Sequence, residues 1–237
     1  MAGVRSFAAE APDEVNLSAT WWTIPAVPNF PANVHGRAVI IVGAAYVGPP
    51  EDGERILQPL REIEEPLTDL SATVPYVGLQ QLFDPFFPAG ELRYYWKSLY
   101  LATLEEAAVE VIAEHVASRP SARSMAGLWA LGGAMSRVAP ASTATGARDA
   151  PYLLEILANW AEPAASDANV RWARELFDAM APFGTGKTNF NFPGFGDDTD
   201  FVRAAFEGQW ARLGEVKRTL DPTNLFRLNQ NIEPGGR

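Results

Sequence analysis

Apolar residues recur at helical spacing along two stretches of the chain. Leu104, Ala108, Val111, Ile112 and His115 share one face of a predicted helix that starts near Thr103 and stops before Pro120. Phe201, Ala205, Phe206, Trp210, Leu213, Val216 and Leu220 predict a long last helix, opened by capping oxygens around Asp198 and ended by Pro222. "DANVRWARELFDAM" predicts another helix, capped by Asp167, and "RDAPYLLEILANW" is read as helical too.

Elsewhere the pattern is β-rich. Val15–Trp22 and "RAVIIVGAAYVG" (37–48) predict strands, joined by a loop with Pro25, Pro28 and Pro31. A third strand is expected around Arg93–Lys97, and "SMAGLWALGGAMSRV" predicts a strand pair with Gly132-Gly133 between its arms. "PPEDGERILQPLREI" predicts a short helix from near Pro50, acidic at its positive end. Regular βαβ crossovers are missing, so an α+β fold is expected: an antiparallel sheet covered on one face by helices.

Composition narrows the chemistry. With 237 residues, 47% apolar and 20% charged, the chain is long enough for a sizeable core. A formal charge of −10 with no basic cluster argues against a nucleic-acid partner. There is no cysteine, which excludes disulfides and thiolate chemistry, and only His35 and His115 offer imidazoles, too few for most zinc sites. His115, on an apolar side, is expected to be a satisfied core-edge residue. No apolar signal region or membrane-length apolar run is visible, so a cytoplasmic location and no membrane partner are the default expectations.

The stretch "APFGTGKTNFNFPGF" (181–195) imitates a phosphate-binding loop, with Gly186-Lys187-Thr188 in the usual places. Such a loop needs a strand before it and a helix beginning inside it. Here a helix precedes, and Pro193 and Gly194 follow. The glycines are instead expected to end a helix and turn into a short strand at 188–192.

Amide side chains gather beside aromatics in "NFNF" (189–192) and "DPTNLFRLNQNIEP" (221–234). Asn offers a donor and an acceptor, which suits the edge of a planar ring with alternating C=O and N–H groups. Asn224 and Asp221-Pro222 read as turn caps; Asn191, Asn229 and Asn231 read equally as turn caps or as ligand-facing amides.

The tail "LDPTNLFRLNQNIEP", together with "ALGGAMSRVAPASTATGARDAPYLLEILANW" and "NFNFPGF", resembles the berberine bridge enzyme-like FAD-linked oxidases, of the vanillyl alcohol oxidase type of flavoproteins. The resemblance implies the second half of such an enzyme: a substrate-binding domain over 1–187 that roofs the isoalloxazine, and a C-terminal segment over 188–237 that packs on an FAD-binding domain. That FAD-binding half, with its histidine attachment, is expected to lie outside this chain. FAD would then be held only together with an FAD-binding domain or polypeptide, and the substrate would be a small molecule. Asn191, Phe192 and Asn229 match flavin-bordering positions, with Asn231 a weaker match; Lys97 matches a sheet position facing the cofactor but reads also, and more readily, as a surface lysine. Asn189 stands where the family has a tyrosine at or near the catalytic base, so the catalytic residue is unassigned; an amide takes no proton at neutral pH. Tyr94, Trp96 and Trp129 are candidates for the substrate pocket, with Tyr94 and Trp96 on one sheet face; all three read equally as core.

Overall fold

A computed structural model describes residues 1–139, 142–144, 147–192, 203–206, 208–228 and 230–235. Its centre is one antiparallel sheet of five strands: β1 (Val15–Thr23), β2 (Ala38–Tyr46), β3 (Arg93–Leu101), β4 (Met125–Ala130) and β5 (Tyr152–Trp160). Their spatial order is β2-β1-β4-β5-β3. The helices are α1 (Ala2–Glu10), α2 (Pro50–Arg61), α3 (Tyr76–Gln80), α4 (Glu106–Ala117), α5 (Gly133–Ser136), α6 (Ser166–Met180) and α7 (Trp210–Leu220).

Alternation along the strands builds two different faces. On one, Tyr95, Leu99, Leu128, Leu154 and Ile156 meet α4 and α6, which contribute Ile112, Trp172 and Leu176 to a single buried cluster. Among the described residues, the opposite face has no such helical layer. Loops around Phe30, Phe86–Phe87, Ala147–Ala150 and Thr188–Phe192 border it instead.

Several expectations are corrected. "YLLEILANW" is β5, not a helix. It lies between β4 and β3, so both of its edges are hydrogen-bonded and both of its faces are covered. Leu154, Ile156 and Ala158 enter the helix-side core while Leu153 and Leu157 pack on the other side. A strand covered on both faces loses its two-residue rhythm and reads as a continuous apolar run. The expected strand pair after Ser124 is one strand followed by the short α5, because Gly132 and Gly133 take φ of 120° and 53° and turn the chain out of the sheet.

The long last helix is shorter than its spacing suggests. Gly208, at φ 81°, interrupts it, and α7 begins only at Trp210. Asp198 lies outside the described residues. Asp167 is no cap either: it sits within the first turn of α6, where its charge complements the helix dipole.

The segment 184–188 lies along the outer edge of β3. Gly184 forms a bridge with Leu101, Thr185 N–H donates to Tyr100 O at 2.8 Å, and Tyr100 N–H donates to Lys187 O at 3.0 Å. No helix begins there, so the phosphate-loop geometry is absent. The pairing comes before, not within, the expected strand at 188–192; Phe192 N–H closes a turn onto Asn189 O at 2.9 Å. That segment covers an otherwise open sheet edge. His115 is satisfied as expected: its Nδ1 is 2.9 Å from Val111 O, and its carbonyl accepts the Trp172 indole at 2.8 Å.

Candidate active site on the loop-bordered sheet face

Register places Thr20, Gly127, Glu155 and Ser98 side by side across β1, β4, β5 and β3. They share the face away from α4 and α6. Glu155 is thus a carboxylate on an inner strand of the sheet. Burial raises its pKa, and a hydrogen bond from the Trp129 indole opposes that rise. Tyr100 lies one row away, and its phenol is also raised, by burial first and by the charge of Glu155 second. A half-hidden carboxylate, a phenol and an indole N–H therefore neighbour one another on this face. Such an arrangement holds a proton acceptor whose affinity for protons exceeds that of a solvated glutamate.

A row of aromatic rings flanks this group. Tyr94 and Trp96 have centroids 5.5 Å apart, Trp96 and Phe87 5.7 Å, and Trp96 and Phe192 5.6 Å. Trp96 is fixed in place because its indole N–H donates to Asn159 Oδ1 at 2.7 Å. Beyond Tyr100 a cavity of about 140 Å³ is lined by Ala147, Thr188, Asn189, Asn191 and Phe206.

The structure brings Tyr94, Trp96 and Phe192 together, while Trp129 stands apart from that row and contacts Glu155. Asn191 lines the cavity, and Asn229 lies outside the described residues. Asn189 acts as a turn former: its Oδ1 accepts Asn191 N–H at 3.1 Å. Lys97 is neither at the surface nor on the Trp96 face. It is buried on the helix side, with Nζ 4.2 Å over the Phe177 ring. Asn224 sits in a turn with φ 54°, and Asn231 has a buried Oδ1 without a partner.

Glu155 and Tyr100 were not singled out from sequence. The signal for Glu155 was a single acid inside "LLEILA", which a helical reading hides and a strand reading exposes. Among the described residues no cluster of three metal-ligating side chains occurs, and no helix is long and apolar enough to cross a membrane.

The berberine and berberine-like family model matches residues 185–233. The FAD-linked oxidoreductase YgaK of Bacillus subtilis is 31% identical over 80% of this chain and 42% of its own length. This chain is related to the berberine bridge enzyme-like FAD-linked oxidoreductases. An aclacinomycin oxidase of Streptomyces galilaeus is 28% identical over 61% of this chain and 28% of its own length. Among solved structures, the berberine bridge enzyme-like protein 28 of Arabidopsis thaliana superposes with a TM-score of 0.75 at 19% identity, covering 98% of this chain and 52% of that one. The 6-hydroxy-D-nicotine oxidase of Arthrobacter nicotinovorans gives 0.71 at 22% identity, covering 98% and 51%. The chain spans about half the length of YgaK and of the solved structures it matches.

The residues present suit one part of an FAD. Amides of Asn189 and Asn191 and the phenol of Tyr100 give the cavity donors and acceptors for the polar edge of a flat ring. For the pyrophosphate, the strand, Gly loop and helix that such a group uses are not found among the described residues.

Proposed function

We propose that this chain is the substrate-binding, flavin-roofing part of an FAD-dependent oxidoreductase, acting with an FAD-binding domain or polypeptide. The observation that carries this reading is Glu155: a carboxylate of raised proton affinity on the loop-bordered face, hydrogen-bonded by Trp129 and flanked by aromatic rings. Bound FAD would supply a two-electron acceptor for a hydride leaving a substrate C–H. Glu155 takes the proton that the same substrate gives up from O–H or N–H. Trp129 aims the carboxylate, and Tyr94, Trp96 and Phe192 offer ring faces to a small, largely planar substrate. Tyr100, Asn189 and Asn191 border the ring edge.

A second reading, a non-catalytic partner or remnant, is favoured by Asn189, which stands where the resemblance expects a tyrosine. Glu155 weighs against it by offering a base from a different strand.

One experiment separates the two. The chain is purified alone and after co-expression with an FAD-binding polypeptide of the family, and visible flavin absorbance and substrate oxidation are recorded. The expected result is little flavin on the chain alone, with flavin and activity recovered in the complex. In that complex Glu155→Gln should lower kcat by about 10²–10⁴-fold. Stoichiometric flavin on the isolated chain overturns the shared-cofactor reading. An active complex indifferent to Glu155→Gln overturns the assignment of the base, and absence of any association favours the remnant.

A further inference from the structure

Gly127 sits within β4, paired to Thr20 on one side and Glu155 on the other. Glycine weakens the interior of a strand, and where it persists it commonly marks a bulge or the close approach of a ligand or another backbone. Gly127 is part of regular pairing, so it is no bulge. Its φ is not among the positive ones, so the backbone does not demand glycine. Packing does not demand it either. A Cβ at this position would meet only side-chain atoms, Thr20 Oγ1 at 3.8 Å and Glu155 Oε2 and Trp129 Nε1 at 3.9 Å, all ordinary contacts. Gly127 is buried, and the space its missing Cβ leaves is the size of one methyl group, so alanine would fit. The walls of that space are a hydroxyl, a carboxylate oxygen and an indole nitrogen, an unusually polar lining for a gap in a sheet.

We propose that Gly127 is a specificity-determining residue, its missing side chain leaving the seat in which the polar end of a substrate meets both Glu155 and Thr20. The inference rests on the reading of Glu155 as proton acceptor. Thr20 can donate to or accept from the incoming group, whereas ionised Glu155 only accepts, so the seat suits a hydroxyl that donates to the carboxylate and receives from the threonine. A methyl group at 127 would lift that hydroxyl away from both.

The test uses the isolated chain, with benzyl alcohol as probe and toluene as the control that lacks the hydroxyl. The Trp129 indole N–H resonance is followed by NMR in the wild type and in Gly127→Ala, alongside thermal unfolding and the titration of the Glu155 carboxyl. Benzyl alcohol should move the Trp129 signal in the wild type, with at least about tenfold weaker affinity in Gly127→Ala, and toluene should not move it in either. The variant should melt about 1–4 °C higher, because the fold accepts the methyl group and the unfolded chain loses freedom. A wild type whose signal is unmoved at saturating alcohol, a variant that binds as well as the wild type, or a variant that is clearly less stable each overturns the inference. Titration of Glu155 in the range of a solvated glutamate would instead sink the proton-acceptor reading, whatever Gly127→Ala does.

Discussion

Thr188 reaches to the outer strand β3 and donates its hydroxyl to the carbonyl oxygen of Ser98 at 2.6 Å. With that proton committed, Ser98 Oγ donates back to Thr188 Oγ1 at 3.0 Å and accepts Asn189 N–H at 3.1 Å. Both hydroxyls are buried. This knot fixes the turn that carries Asn189, Asn191 and Phe192 beside the candidate site.

Thr188→Val keeps the shape of the side chain and removes the hydroxyl. It leaves the buried Ser98 carbonyl without its donor and the Ser98 hydroxyl without its acceptor, and should cost about 1–3 kcal/mol in urea unfolding. Amide exchange at Asn189 and Phe192 should quicken, while exchange in β4 and β5 stays slow. Thr188→Ser, which keeps the hydroxyl, should cost less.

Asn159 does for Trp96 what Ser98 does for that turn. Its Oδ1 takes the indole N–H at 2.7 Å, its Nδ2 donates to Arg123 O at 3.2 Å, and it is 1% exposed. Asn159→Ala strands an indole N–H and a backbone carbonyl in the interior. A loss of about 2–4 kcal/mol is expected, together with a changed emission spectrum as Trp96 loses its anchor. Asn159→Asp, which keeps an acceptor for the indole, should preserve more of the native spectrum than the alanine variant.

The fold class was legible from sequence because β1, β2 and the helix-side stripe of α4 each show one periodicity on one face. The candidate site was less so, and β5 explains why. Its residues fill both faces of an inner strand, so "LLEILAN" carries no two-residue alternation, and its Leu and Ala are good helix formers in isolation. Tertiary pairing overrides that preference, and only the strand reading puts Glu155 beside Gly127 and Ser98. Tyr94 and Trp96 need no such help, because strand alternation alone puts them on one face; Phe192 is reached only through the resemblance, since its segment reads as a strand and is a turn. Lys97 shows the converse. Its parity along β3, opposite to that of Trp96, already assigns it to the other face.

Glu155 gives a pH signature with a definite sign. Its folded-state pKa lies above the ordinary 4.5, chiefly through burial. The folded state therefore holds its proton more tightly than the unfolded chain. The contribution to stability is fully present below the ordinary value and is lost as pH rises through the raised one. Glu155→Gln abolishes this dependence. The variant should gain on the wild type between acid and neutral pH and melt higher at neutral pH, where the wild type must keep a charge in a poorly hydrated place. Equal slopes of stability against pH in the two proteins would show that Glu155 is solvated like a surface acid.

The C-terminal tail yields the last expectation, and Asp221 organises it. The carboxylate accepts Lys217 Nζ at 2.6 Å and the backbone N–H groups of Leu225 and Phe226 at 2.7 and 3.0 Å. The Lys217 hydrogen bond, the largest influence, holds its pKa below the usual aspartate value. The turn is therefore secure above that usual value and loosens as pH falls through the depressed one. What it presents is apolar: Leu225, Phe226 and Leu228 are 67%, 78% and 86% exposed. Side chains of this kind clustered at the surface mark contact with another surface. Under the proposed function that surface is the FAD-binding polypeptide. Leu228→Asp should change the stability of the isolated chain by no more than about 0.5 kcal/mol, since the side chain packs on nothing it would lose. The same variant should weaken co-purification with the FAD-binding polypeptide and lower the flavin recovered with it. Asp221→Asn should do so to a smaller degree, by unfastening the turn while leaving the apolar side chains in place. Undiminished capture by Leu228→Asp would place the contact elsewhere on the chain.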